Sequence, residues 1–415
     1  MAKQFTRRDW GRAALTGAVL IPSIPVVENA EAATNPWDEK IERSSIRVAS
    51  YQQVTIRVGV QAGAVESNVA KLLADRIAEP SGLTARIEKE AGTLPNADEL
   101  VIQLGIPDHH AGLAAQFQAL RIPPLTGIEP GPEGFLLQSV PVRAGGLLLA
   151  AGIDHRGVLY AAGEILRRME IGETSLTFPS AVNVRTAPAF EVRGTQFGQS
   201  SVAIQKGKVR RWSNDDKRRA VLDYALAGLN TVASGTKTPE DDVVVQTAKD
   251  FGLKVLIHYG PNTGTGPREV QAMESIGRDT YLCPSTREGR RLLLERCESE
   301  FRDAPRADYV RFPGGDGGGC ECDMCKPYGG TYIRLCEELA SIIRRTQPQA
   351  EFFIINQKFD NADDEAIFAY LQEKPRPWLR AFGYGPGSDA MSWQPGHRQT
   401  HRMDLFRYPG FGPYD

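Results

Sequence analysis

Charge imbalance, long apolar runs and the common cofactor signatures are all missing from this sequence. The 415 residues carry a formal net charge of −2, so no electrostatic field favours nucleic acid or an anionic membrane surface as a partner. The longest apolar stretch, Ala13 to Val27, is interrupted by Pro22 and Pro25. It falls short of the ~20 residues a bilayer-spanning helix needs, so no stable membrane insertion is expected. Neither a phosphate-binding loop, nor a dinucleotide fingerprint, nor a Ser-His-Asp arrangement occurs. Nucleotide-driven, dinucleotide-linked and acyl-enzyme chemistry are therefore not expected, and no organic cofactor is implied.

Cysteine is also sparse, with six in the whole chain, yet three of them crowd into one segment, Gly317-Gly-Gly-Cys-Glu-Cys-Asp-Met-Cys325. Cys320, Cys322 and Cys325 are too close in sequence to pair well with one another as disulfides. Thiolates at C-x-C-x-x-C spacing suit a tetrahedral metal, with zinc as the natural ion. Cys283, in the loop Leu-Cys-Pro-Ser ahead of a helical pattern, is the first choice for a fourth ligand. Cys297 and Cys336 fall instead on apolar stripes of helices. Disulfides and free thiols remain the alternatives. A site of this ligand set is structural rather than catalytic.

The N-terminus reads as a targeting segment over residues 1–32. Thr6-Arg7-Arg8-Asp9-Trp10, a modest apolar region and Ala30-Glu31-Ala32 match the grammar of a twin-arginine export signal. A plain packing helix is the alternative. Export predicts a periplasmic or extracellular protein.

Two patterns follow. In residues 53–186, Val54–Val60 alternates like a strand, and Leu100–Leu104, Gly134–Gln138 and Gly146–Ala150 read as three more, with helical stripes at Val65 to Ile77 and Val158 to Met169. This predicts a small α+β accessory domain with two helices on one face. Asp154 and His155 read as turn residues. Residues 187–415 switch to strand, loop, helix in repetition. Six strands are visible, near Val192–Phe197, Asn230–Ser234, Leu253–Tyr259, Tyr309–Pro313, Glu351–Gln357 and Leu379–Tyr384. Helix starts are signalled at Ser213-Asn-Asp-Asp216, Thr238-Pro239-Glu240 and Ser285-Thr-Arg-Glu288. Such alternation predicts a parallel sheet of the (β/α)8 TIM-barrel type. Only about 228 residues remain from Pro188 onward, against ~250 for a typical barrel, so the barrel is expected to be incomplete at its C-terminus, with an open variant of the barrel as the alternative.

Barrel chemistry gathers at the C-terminal ends of strands. Asp316, on the glycine-rich loop after the fourth strand, is the leading catalytic candidate, with a loop-capping aspartate as the plainer reading. His258 ends the third strand and is the second catalytic candidate. Asn356 and Gln357 end the fifth strand and Tyr384 the sixth, where amides and a ring suit hydroxyl recognition and stacking. Arg193, Glu321 and Trp393 complete the polar or aromatic candidates. For Arg193 the alternative is an ordinary buried ion pair.

Several of these segments resemble glycoside hydrolase family 20, the β-N-acetylhexosaminidases. Gly134-Phe-Leu-Leu, Gly152-Ile-Asp-His-Arg-Gly-Val-Leu-Tyr160 and Ile165-Leu-Arg167 resemble the accessory domain that precedes the barrel in that family, and a similar domain occurs in related α-glucuronidases. Pro188-Ala-Phe-Glu-Val-Arg-Gly194 resembles the entry into the barrel, where an arginine-glycine pair ends the first strand, and Leu229-Asn-Thr231 the step into the second. The resemblance implies that Arg193 binds sugar hydroxyls. It also implies that Asp316 orients the substrate acetamido group. Where the family motif is Gly-Gly-Asp-Glu, this chain reads Gly314-Gly315-Asp316-Gly317, so the glutamate general acid has no counterpart. The expectation is an exported glycoside hydrolase (EC 3.2.1.-) acting on O-glycosidic bonds of oligo- or polysaccharides, N-acetylhexosaminides or uronic-acid-containing glycans among them. The alternative is a non-catalytic carbohydrate-binding or scaffold protein on a degenerate barrel.

Overall fold

The computed structural model describes residues 47–90, 93–195, 202–205, 208–272, 281–314 and 319–383. The export segment, Asp316, Tyr384 and Trp393 lie outside these residues.

The chain opens with β1 (Val48–Tyr51), β2 (Gln53–Val58), α1 (Ala64–Ala78), β3 (Ala85–Lys89), β4 (Glu99–Gly105) and α2 (Ala111–Ala119). Next come β5 (Phe135–Val140), β6 (Gly146–Gly152), α3 (His155–Arg168), β7 (Glu170–Ile171), β8 (Leu176–Pro179) and β9 (Asn183–Thr186). Six of these strands form a sheet in the order β3-β2-β4-β6-β5-β9, and β1-β8-β7 make a small antiparallel one. Strands β3, β2, β4 and β6 run parallel, and β5 is antiparallel to both its neighbours. Every residue of β4 is buried, because a central parallel strand is covered on both faces. Helices α1 and α3 cover one face. The other is covered by α2 through Leu113 and Phe117 packing on Leu136 and Leu149. Helices therefore lie on both faces, where the sequence pattern predicts one face only. The stripe of α2 is too short, at nine residues, to stand out by periodicity. Asp154 is more than a turn residue: its carboxylate caps α3 by accepting from the Gly157 amide at 2.9 Å.

From Pro188 the elements are β10 (Gly194–Thr195), the hairpin β11 (Val202–Gln205) and β12 (Lys208–Arg211), α4 (Asn214–Leu226), β13 (Thr231–Ser234), α5 (Val243–Asp250) and β14 (Lys254–His258). There follow α6 (Arg287–Arg302), β15 (Tyr309–Pro313), α7 (Tyr328–Ile343), β16 (Glu351–Ile355), α8 (Asn361–Glu373) and β17 (Leu379–Gly383). The second sheet has the order β10-β13-β14-β15-β16-β17, parallel throughout. Sequential parallel neighbours joined by helices are the winding of a (β/α) barrel. Among the described residues β10 and β17 do not pair, so the sheet is open.

Helix starts follow the predicted chemistry with small shifts. Ser213 and Asp216 form the expected capping box of α4. Thr286 caps α6 in place of Ser285, whose hydroxyl donates to the Met324 carbonyl instead. Helix α5 starts at an Asp242 cap, because Thr238 closes a turn onto the Gly235 amide at 3.2 Å.

One hydrophobic core crosses the junction near residue 187. It runs from Ile56, Leu104 and Leu159 through Val221 and Leu226 of α4 to Val255 of β14. Each such side chain contributes ~1.5–3 kcal/mol when fully buried. A Cβ at Gly163 would stand 2.0 Å from the Leu226 carbonyl oxygen, so the close approach of α3 to α4 requires glycine there. Polar ties reinforce the same seam. Arg76 reaches Asp223 at 2.6 Å, and Arg167 donates to the Leu226 carbonyl at 2.7 Å.

Candidate functional site

The faces of the second sheet are read from its cores. Ile257, Val310, Phe312, Phe352 and Ile354 pack with the surrounding helices. Leu256, Tyr309, Phe353 and Ala381 form a separate cluster on the other, inner face. His258 and Arg311 follow Leu256 and Tyr309 by two residues each, so they share that inner face one step nearer the C-terminal ends. They are direct register partners. The His258 Nδ1 accepts from the Arg311 guanidinium, at 3.0 Å from Nε and 2.7 Å from Nη2. Because arginine only donates, Nδ1 is unprotonated and the neutral ring carries its proton on Nε2. Burial lowers the pKa of Arg311 from its ordinary value.

Arg311 is the residue that sequence reasoning passed over. Its signal was a lone charge inside the apolar run Tyr309-Val-Arg-Phe, where alternation turns it toward the inner face.

At the next strand end, Gly314 donates its amide to the Ile355 carbonyl at 2.8 Å. A side chain at Gly314 would lie 2.4 Å from the Gln357 carbonyl and 2.6 Å from the Phe359 ring. Glycine thus lets the exits of β15 and β16 touch, which places Gln357 beside the start of the Asp316 loop. Asn356 is fully buried and donates its side-chain amide to both Asp364 carboxylate oxygens, at 3.0 and 3.1 Å. It therefore ties the end of β16 to α8 rather than standing open at the sheet edge.

Arg193 lies at the other end of the sheet. Expected to end the first strand, it precedes it: Gly194 pairs with Thr231, the first residue of β13, while His258 ends β14. Arg193 donates to the Gly228 carbonyl at 2.7 Å, the Tyr160 hydroxyl at 2.7 Å and Glu133 at 2.5 Å, and also to the Phe190 carbonyl. Glu133 accepts in addition from Asn230 at 3.0 Å and pairs with Arg156 at 2.7 Å. Burial alone would raise the Glu133 pKa, but these cations and amides outweigh it and hold the carboxyl below its ordinary value. The observed arrangement is a brace between the first sheet and the entry of the second.

The four cysteines expected to converge do so. The Sγ atoms of Cys283, Cys320, Cys322 and Cys325 all lie within 4.8 Å of one another. Cys283 stands 3.7 Å from Cys322 and 3.6 Å from Cys325. Cys283, Cys320 and Cys325 are buried and Cys322 is half-buried. The Cys325 amide donates to the Cys322 carbonyl at 2.9 Å, folding the C-x-x-C segment into a turn. Thiol hydrogen bonds from Cys320 and Cys325 push Cys283 down to about 3, whereas the contacts with Cys283 and Cys320 push Cys325 far upward. One thiolate forms easily in this group, where neighbouring thiols donate to it, and a second beside it does not, because each of those thiols keeps its proton to donate. Glu321, between two of these cysteines, is exposed, with Lys326 at 4.0 Å.

No protein-family model and no curated protein matches the chain. Solved structures do resemble it. CpGH84D superposes with a TM-score of 0.50 at 11% identity, over 87% of this chain and 55% of that one. The GH20 exo-β-N-acetylglucosaminidase of Vibrio harveyi, in complex with N-acetylglucosamine, gives 0.49 at 11% identity over 82% of this chain and 60% of that one. BtGH115A, a 4-O-methyl-α-glucuronidase, gives 0.47 at 12% identity over 80% of this chain and 44% of its own. The chain thus spans less than two thirds of the length of each. Likeness at this identity speaks of fold alone, and the fold is a glycoside-hydrolase-like mixed α/β one. No helix among the described residues is long and apolar enough to cross a membrane.

Proposed function

We propose that the protein binds a carbohydrate at the C-terminal edge of the second sheet and hydrolyses an O-glycosidic bond there. The observation that carries this reading is the His258–Arg311 pair on the inner face near the C-terminal end of β15, after which the sequence continues Gly314-Gly315-Asp316. In the reading, the Nε2 proton of His258 is the hydrogen-bond donor to a sugar oxygen, and Arg311 holds the ring in that tautomer. Asp316 is the carboxylate that orients the substrate. Substrates among N-acetylhexosaminides or uronic-acid-containing glycans follow from the family resemblance. Arg193 enters as a brace and Asn356 as a loop clamp, not as sugar ligands. The N-terminal twin arginines add export to the proposal; Arg7→Lys with Arg8→Lys should retain the protein in the cytoplasm on fractionation.

A second reading, carbohydrate binding without turnover, is favoured by one observation. Gly317 stands where the resembling family has its general acid, and losing such an acid costs ~10²–10⁴-fold in rate. Aryl glycosides, including the N-acetylglucosaminide and the glucuronide, distinguish the two when assayed beside Asp316→Asn and His258→Asn. Turnover abolished by Asp316→Asn in a folded protein supports hydrolysis. Saturable oligosaccharide binding without turnover supports the second reading, and neither binding nor turnover rejects both.

A further inference from the structure

We propose that Cys283, Cys320, Cys322 and Cys325 hold a single zinc ion in a closed tetrathiolate site. The ion fastens the loop after β15 to the loop ahead of α6.

Three observations carry this. A tetrahedron built on Zn–S bonds of ~2.3 Å has sulfurs ~3.8 Å apart, and the measured contacts are 3.6 and 3.7 Å with all sulfurs inside 4.8 Å. A disulfide requires ~2.05 Å, so no pair here is bonded. A multi-iron cluster inserts bridging sulfides between its metals and would hold its cysteines farther apart than this compact set, so one ion fits and a cluster does not. The surroundings are also those of a structural site. Three of the four ligands are buried in the same core as Tyr328 and Leu293, which leaves no open position for a substrate. The Ser285 hydroxyl accepts from the Cys325 thiol at 3.1 Å and donates to the Met324 carbonyl at 3.2 Å. A protein hydroxyl thus already spans the two loops that the ion would join.

Binding is the exchange of thiol protons for a dication: the S–H bonds of the cysteines still protonated are lost, four Zn–S bonds form, and those protons leave to solvent with no change of oxidation state. Binding should therefore weaken steeply with acid.

The test is elemental analysis of the purified full chain, with cobalt substitution as a second measurement. The expected result is about one zinc per chain. Cobalt should give the thiolate charge-transfer bands and tetrahedral d–d bands of a four-sulfur site. Cys322→Ser, at the half-buried ligand, should lower occupancy severalfold, whereas Cys297→Ala, outside the cluster, should leave it unchanged. Absence of metal with all thiols titratable would overturn the proposal. So would a mass deficit of two hydrogens per bridge, which marks disulfides. Iron in place of zinc would overturn the assignment of the ion, and full occupancy in Cys322→Ser would overturn the four-ligand geometry.

Discussion

In both large sheets the C-terminal ends of the parallel strands carry similar residues and put them to different uses. At the edge of the first sheet, polar side chains bond mainly to backbone, although Glu66 also pairs with His109 at 2.8 Å. Glu66 accepts from the amides of Gly63 and Ile106, each at 3.0 Å. Glu90 accepts from Val60 and Ala111, each at 3.0 Å. His110 accepts from Leu113 at 3.3 Å and faces the Arg57 carbonyl at 3.2 Å. At the edge of the second sheet, side chains bond to one another: imidazole to guanidinium, sulfur to sulfur. The first edge includes the β2–β4 position where strand order reverses, a place at which open α/β sheets commonly bind ligands. Here its polar groups are consumed in closing loops. Strand-end placement alone does not make a site; what the polar groups already bond to decides it.

Breaking the second edge should have the largest effect. If zinc joins the two loops, chelation or Cys283→Ser should lower the melting temperature in calorimetry by more than any single change at the first edge, since structural zinc sites contribute folding energy directly. An unchanged transition would remove the metal from the account of that edge. Next comes the brace between the sheets: Glu133→Ala leaves Arg193 and Arg156 without their carboxylate, a loss of ~3–5 kcal/mol for a broken buried pair. Urea denaturation measures it. Cutting the first edge with Glu66→Ala orphans the Gly63 and Ile106 amides, which should cost ~1–3 kcal/mol and leave carbohydrate binding at the second edge intact.

The smallest effect is a pH slope from His110. Burial lowers its pKa below the ordinary 6.5, because the charged imidazolium is poorly solvated there. The unfolded chain therefore takes up a proton near pH 6.5 that the folded chain refuses. Its contribution is fully present above that value and declines as the pH falls toward the folded pKa. Urea midpoints taken between about pH 7.5 and 5.5 should fall, and His110→Gln should flatten that part of the slope.

Much of the architecture was legible because it rests on local chemistry. The α4 capping box, the short apolar runs of β2, β4 and β6, and the strand-helix rhythm of the second sheet are all set by neighbours in sequence. The cysteine convergence was legible for the same reason on one side, C-x-C-x-x-C. Choosing Cys283 over Cys297 and Cys336 rested on loop against helix stripe, and the latter two are indeed buried in α6 and α7. What was not legible depends on distant partners. Asn356 resembled a sugar-facing amide, but its side-chain amide donates to Asp364, eight residues on. Arg193 looked like a strand-end ligand, but the Gly194–Thr231 register and its bond to Glu133, just ahead of β5, place it at the opposite edge. Helix α8 escaped notice although Asp360 and Asp363 form a complete capping box.

The core that crosses residue 187 also bears on how the chain is made. The inner stripe of α3 packs in the same core as Val221, Leu226 and Val255, residues that leave the ribosome after the first sheet is complete in sequence. Until they arrive, Leu159 and Ile165 have only part of their final surroundings. The part of the core that α3 shares with α4 and β14 therefore closes only once those elements have been made. Its maturation waits on α4 and β14, and a nascent chain stalled before them would present an apolar helix face to solvent.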